Sequence, residues 1–192
     1  MIIKNISKLR KIISSMSNKI IYYVPTMGNL HEGHLKLIKY AQEKDQFVVV
    51  SIYVNPLQFD SMMDYKRYPR TIKRDLKILE KLNVDIIFLP ENNFSKDNLS
   101  KLSLGKITHK LCGTDRPGHF SGVATIILKF LNIIQPDFLI LGEKDYQQIL
   151  VIKQIIKDFF LKTKVLERPT VRDRNGLALS SRNTLIPRTK KN

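Results

Sequence analysis

Cysteine is nearly missing from this chain of 192 residues: Cys112 stands alone, which excludes an intramolecular disulfide framework and any multi-cysteine zinc site and suits a reducing compartment. Long apolar runs are missing too. Segments such as 47–54 and 138–141 have strand length and polar bounds, well short of the roughly 20 apolar residues a membrane-spanning helix needs. Acidic residues are scarce, 17 against 33 Lys and Arg, so the formal charge is +16 and the surface attracts anions. The basic residues are dispersed, however, and no RNA-binding or zinc-finger signature accompanies them, which favours a solvated lysine-rich surface over a nucleic-acid groove. No acidic residue precedes Glu32, and the basic, amphipathic first segment has the composition of an organelle presequence. Yet Ile6, Leu9, Ile13 and Met16 recur at helical spacing and run straight into the apolar stretch 20–24 with no linker, so the segment is expected to belong to the fold. These absences lead to the expectation of a soluble, cytoplasmic protein that engages neither membrane nor nucleic acid.

What is present is a rhythm. Apolar, β-branched runs at about 20–25, 47–54, 84–89, 137–141 and 163–167 alternate with helical patterns at about 34–44, 70–82, 121–134 and 145–159. Such alternation predicts an α/β fold, a Rossmann-like parallel sheet with helices on both faces and ligands bound beyond the carboxyl ends of the strands. The polar motifs follow strands as that fold requires: "PTMGNLHEGH" after the first, "NPLQF" after the second, "GEKDYQQ" after the fourth. The polar stretch 91–114 reads as connecting structure, and no internal repeat is evident.

In "PTMGNLHEGH", Pro25 is expected to end a strand, Gly28 to let the backbone turn close to a ligand, and Gly33 to leave space at a helix start. The free amides of that helix end favour a polyphosphate, and His31 and His34, three apart, share a face from which both can donate to its oxygens. A His-x-x-His zinc site is the competing use of the pair, but no carboxylate or cysteine constellation stands near to complete it.

His31-Glu32-Gly33-His34 after a first strand resembles the HxGH signature of nucleotidylyl transferases. Taken together with "VVSIYVNPLQF", "YPRT", "RPGHFSGV", "LGEKDYQQ" and "GLALSSRN", in that order, the chain from Val24 to Asn183 resembles the pantothenate synthetase (pantoate–β-alanine ligase) family. The resemblance implies an ATP-dependent, AMP-forming ligase of coenzyme A precursor biosynthesis: the carboxylate of pantoate attacks the α-phosphate of ATP, and the amine of β-alanine then displaces AMP from the pantoyl adenylate. It implies His34, His31 and Lys144 as catalytic residues. It implies an ATP site of Met27, Gly28, Asn29, Leu30, His31, Glu32, Gly33, His34, Gly142, Glu143, Lys144, Asp145, Val171, Leu179, Ser180, Ser181 and Arg182. Gln58 and Gln148 are implied as pantoate ligands, Gln58 also as a β-alanine ligand, Mg²⁺ as the ion accompanying ATP with Asp75 as its contributor, and a homodimer formed through this domain.

The chemistry suits those residue types. Neutral amides donate to a carboxylate and accept from a hydroxyl without adding charge. Lysine supplies a point charge and arginine a planar fork for phosphate. Because adenylyl transfer to a carboxylate needs no obligatory proton abstraction, His34 is expected to stabilise charge rather than act as a base. The domain is expected to span residues 1–183, with 184–192 a short basic tail that begins a second, smaller domain, largely absent here, which in the family closes over the nucleotide. Two rival readings use the same residues: another nucleotidylyl transferase, and a basic nucleic-acid-binding module.

Overall fold

The computed structural model describes residues 1–16, 18–43, 46–91, 94–95, 100–108 and 110–186. In chain order the elements are β1 (Ile2–Ile3), α1 (Ile6–Ser15), β2 (Ile21–Thr26), α2 (Glu32–Gln42), β3 (Phe47–Ile52), α3 (Met62–Arg67), α4 (Ile72–Lys81), β4 (Ile86–Phe88), α5 (Cys112–Asp115), α6 (His119–Ile134), β5 (Phe138–Gly142), α7 (Tyr146–Asp158) and β6 (Lys164–Arg168), with short 3-10 turns at Pro56–Gln58, Lys106–Thr108, Glu143–Asp145 and Ser181–Leu185. All six strands are parallel, in the order β1-β4-β3-β2-β5-β6. The five strands and four helices read from hydrophobic periodicity are present.

Strand residues alternate between two cores, as period-two geometry demands. Tyr23, Val49, Phe88 and Leu139 face a layer containing Leu9 and Ile13 of α1 with Ile126, Phe130 and Ile134 of α6. Tyr22, Val24, Val48, Val50 and Ile140 face Ile38 and Ala41 of α2 and Leu79 of α4. Both faces being covered explains why the strands read as near-continuous apolar runs. The first segment belongs to this body: Asn5 caps α1 by accepting from the Lys8 amide, and Leu9 and Ile13 are buried.

From β2 the chain winds outward through β3 to β4, then returns by α6 to place β5 on the other side of β2. The switch point therefore lies between β2 and β5. Those strands pair only at Tyr22 and Tyr23, so beyond Tyr23 they part and leave a crevice at their carboxyl ends. Pro25 is not a strand terminator here. It lies inside β2, opposite Ser51 of β3, and its missing amide costs nothing where β5 no longer pairs.

Three elements were not legible in the sequence: the two-residue β1, the four-residue α5, and α3, six residues capped by the Ser61 hydroxyl accepting from the Asp64 amide. All three are too short to show a period. The connecting stretch 91–114 is anchored where it is described. Phe94 is buried and stacks on Phe130, with ring centroids 5.1 Å apart, while Leu102, Leu104 and Ile107 pack beside Phe120 and Ile155. Most of the expected tail, 187–192, lies outside the described residues.

Candidate functional site

The carboxyl ends of β2 and β5 open into a cleft of about 240 Å³ lined on one side by Met27, His31, Gly33 and His34 and on another by Gly142, Lys144, Asp145 and Gln148. Gln58, Ser180, Ser181 and Arg182 give it a polar rim, joined by Val171 and Leu179, and Val123, Ile126, Ile127 and Phe130 of α6 give it an apolar wall. Motifs spread from residue 27 to residue 182 thus converge on one crevice.

The loop after β2 turns through two left-handed residues, Gly28 (φ 79) and Asn29 (φ 48). A Cβ on Gly28 would lie 3.1 Å from Asp75 Oδ2, so glycine is required both for the conformation and for the close approach. Asp75, expected as a magnesium ligand, is fully buried, and its carboxylate accepts from the amides of Asn29 (2.8 Å) and Leu30 (3.0 Å) and from the Thr71 hydroxyl (3.0 Å). Its lone pairs are committed to holding the loop. Among the described residues no group of three His, Cys, Asp or Glu side chains is placed to hold a metal ion, which also leaves the His-x-x-His zinc alternative without further ligands.

Asn29 and Ser181, expected to touch ATP, tie two loops together, with Ser181 also on the cleft rim. The Asn29 side-chain Nδ2 donates to the Ser181 carbonyl at 2.9 Å, and the Ser181 hydroxyl lies 3.2 and 3.1 Å from the carbonyls of Gly28 and Asn29. Leu30 is a buried plug whose carbonyl accepts from Arg74, and Glu32 and Glu143 point into solvent. Gly28, Asn29, Leu30, Glu32 and Glu143 do not line the cleft, whereas the other expected ATP residues do.

His31 caps α2 and His34 occupies its first turn, with ring centroids 4.0 Å apart. The His31 amide donates to His34 Nδ1 at 3.3 Å, which leaves the His34 proton on Nε2. Burial, then the nearby His31 and Lys144, hold the His34 pKa down at about 3, so its ring is a neutral donor at physiological pH. His31 is likewise shifted downward, first by burial and then by Lys144, and its buried Nδ1 has no hydrogen-bond partner among the described residues. Gly33 makes room for that ring, since a Cβ there would sit 2.9 Å from His31 Nδ1.

Lys144 rests 2.7 Å from Asp145, and Arg182 donates to Asp64 at 2.9 Å while lying 5.3 Å above the centre of the Tyr68 ring. The Val171 carbonyl accepts from the Leu179 amide, which pins the adjoining loop. Gln58 is held by its neighbours: its Oε1 accepts from Asn55, and its carbonyl accepts from His119 Nδ1 at 2.6 Å. Asn55, Asp64, Tyr68, Arg116 and His119 were not singled out from sequence. Asn55, Tyr68 and the Arg116–His119 pair lay inside the motifs "NPLQF", "YPRT" and "RPGHFSGV", but their roles depend on partners distant in the chain or on burial.

A parallel sheet whose switch-point crevice receives a histidine-bearing helix N-terminus, basic side chains and amides is a doubly wound α/β domain with its ligand crevice at the carboxyl ends of the strands. The sequence model of the Pantoate-beta-alanine ligase family matches residues 1–192, and the chain belongs to that family. It is 47% identical over 185 residues to the pantothenate synthetase of Thermoanaerobacter pseudethanolicus, covering 94% of this chain and 65% of the relative. It is 49% identical over 191 residues to that of Buchnera aphidicola subsp. Acyrthosiphon pisum, covering 96% and 67%. The chain therefore spans about two thirds of the length of these relatives. Among solved structures, the Pantoate-beta-alanine Ligase of Francisella tularensis complexed with Beta-gamma ATP and Beta-alanine superposes with a TM-score of 0.95 at 46% identity, covering 98% of this chain and 74% of that one. The pantothenate synthetase of Thermus thermophilus superposes with a TM-score of 0.92 at 38% identity, covering 99% and 69%.

Proposed function

We propose that residues 1–192 carry the nucleotide and acid sites of an ATP-dependent ligase that condenses (R)-pantoate with β-alanine through a pantoyl adenylate. The observation that carries this reading is the convergence in one cleft of His31, His34, Lys144 and Arg182 with Gln58 and Gln148 beside an apolar wall. The cationic and N–H donors suit a triphosphate; the amides and the apolar wall suit a branched hydroxy acid. The Francisella ligase, complexed with Beta-gamma ATP and Beta-alanine, supports the choice of nucleotide and amine.

In this reading the pantoate carboxylate attacks the α-phosphorus, pyrophosphate departs, and the β-alanine amine displaces AMP from the mixed anhydride with loss of a proton. One difficult amide synthesis becomes two displacements with good leaving groups. His34 Nε2–H donates to the charge that develops on the transferring phosphoryl group, and Lys144 and Arg182 neutralise the remaining oxygens. Gln58 and Gln148 fix the acid, and Gln58 also meets the incoming amine. Magnesium enters as the counter-ion of the ATP co-substrate, and no protein ligand is assigned to it. Residues 1–183 act as one domain, and two copies pair through it in the cytoplasm; sedimentation velocity tests the pairing.

Calorimetric titration tests the function itself. Separate binding of MgATP and of pantoate, with CTP bound at least tenfold more weakly, is expected; equal binding of CTP, or failure of pantoate to bind beside saturating ATP, refutes it.

A further inference from the structure

Gln58 is held from both of its ends. Its side-chain Oε1 accepts from Asn55 Nδ2 at 3.0 Å, which turns the amide so that Nε2 is the edge left for the cleft. Its backbone carbonyl accepts from His119 Nδ1 at 2.6 Å and from Arg116 Nη2 at 3.4 Å. The turn that carries it is pressed onto α6 at Gly122, where a Cβ would fall 2.1 Å from the Leu57 carbonyl oxygen.

The histidine contacts determine one another. A carbonyl facing Nδ1 requires the proton there, and Arg116 Nη1, an obligate donor 3.3 Å from Nε2, requires a lone pair at that nitrogen. Only the neutral Nδ1–H tautomer satisfies both; the other tautomer opposes lone pair to lone pair, and the imidazolium points an N–H at a guanidinium. Arg116 is itself fixed by Asp60, Nε to Oδ2 at 2.6 Å. The ring Gln58–His119–Arg116–Asp60 thus closes between the segment after β3 and the start of α6. Burial and Arg116 lower the His119 pKa, opposed by its bond to Gln58 and by Asp60, with Arg182 also facing it, and the balance favours the neutral ring.

We propose that His119, kept in its Nδ1–H form by Arg116, is a positioning residue that presents the Gln58 amide N–H to the acid substrate. The inference rests on the reading of Gln58 as the acid's ligand. It differs from a general structural role because it predicts a selective effect. His119→Ala raises the pantoate Kd on the order of tenfold while the MgATP Kd stays within about a factor of two, because only the acid side of the cleft loses its brace. His119→Asn, whose amide nitrogen stands where Nδ1 stood, recovers most of the pantoate affinity.

The experiment is calorimetry of the parent, His119→Ala and His119→Asn with MgATP and with pantoate, joined to ¹⁵N NMR of the histidine rings of the parent at pH 7. The Nδ1–H pattern at His119 together with selective, Asn-rescued loss of pantoate affinity sustains the proposal. An Nε2–H or imidazolium pattern, an unchanged pantoate Kd in His119→Ala, or equal loss of both ligands unrescued by asparagine overturns it. A parent that binds MgATP but not pantoate refutes the functional reading instead, and the tautomer then still decides whether the brace exists.

Discussion

His34 shows how a side chain can be made a donor by its surroundings. Its Nδ1 is occupied by the His31 amide, and burial near His31 and Lys144 keeps the ring neutral with a pKa of about 3. Truncating it to alanine is expected to leave the fold intact and slow adenylate formation by on the order of 10²–10³, read by pyrophosphate exchange; a variant within a factor of two of its parent would remove His34 from the mechanism. The same environment sets a stability slope. The unfolded chain takes up the proton near the ordinary histidine value of about 6.5, before the folded chain does, so the contribution is full above that pH and declines as pH falls toward 3. Urea unfolding at pH 7.5 and 5 is expected to show this loss, with a limiting slope of about 1.4 kcal/mol per pH unit, and His34→Gln to show a shallower one. Gln58→Ala and Gln148→Ala are each expected to weaken pantoate by roughly 1–3 kcal/mol and ATP far less; calorimetry that finds both ligands weakened equally would indicate a damaged scaffold.

At the scale of elements, the loop after β2 is a piece of backbone clamped between α4 and the 3-10 turn at Ser181–Leu185. Asp75 grips the Asn29 and Leu30 amides from one side, and Ser181 and Thr184 meet Asn29 from the other. The clamp fixes where α2 begins, and therefore where His31 and His34 stand. Asp75→Asn keeps the shape but turns an amide N–H₂ toward a buried donor, which costs about 1–3 kcal/mol of stability and loosens the loop. The expected result is a lower urea midpoint together with weaker MgATP binding. Retention of both parent values would show that the loop holds its form without this carboxylate.

For the whole molecule, the position of the switch point between β2 and β5 explains why one cleft collects residues from four different βα connections. Because the proposed nucleotide and acid subsites both lie within residues 1–192, a polypeptide of this length is expected to bind MgATP and pantoate on its own. Condensation is a different matter, since exclusion of water protects an acyl adenylate from hydrolysis. In single-turnover assays that count AMP and pantothenate separately, this polypeptide is expected to release more AMP per pantothenate than a version extended by the C-terminal third of the Thermoanaerobacter relative. Equal yields would show that the cleft as formed here already shelters the intermediate.

The parallel sheet, its covered faces and the strand that each motif follows were determined by the sequence, because hydrophobic period and chain order are local properties that survive any detail of packing. The convergence of Gln58 with Gln148 followed from the same order once the strands were taken as parallel, whereas that of the histidines with "LSSRN" was implied only by the family resemblance. Short elements escaped, since β1 and α3 span less than two helical turns or two strand pleats. The direction of each side chain was decided only by the tertiary structure. Asn29 reaches a carbonyl 152 residues away, Asp75 accepts from amides 46 and 45 residues behind it, and His119 finds the carbonyl of Gln58 across 61. Spacing within a motif says which residues are near a ligand, but which of them face it and which hold the others depends on donors and acceptors supplied by distant parts of the chain.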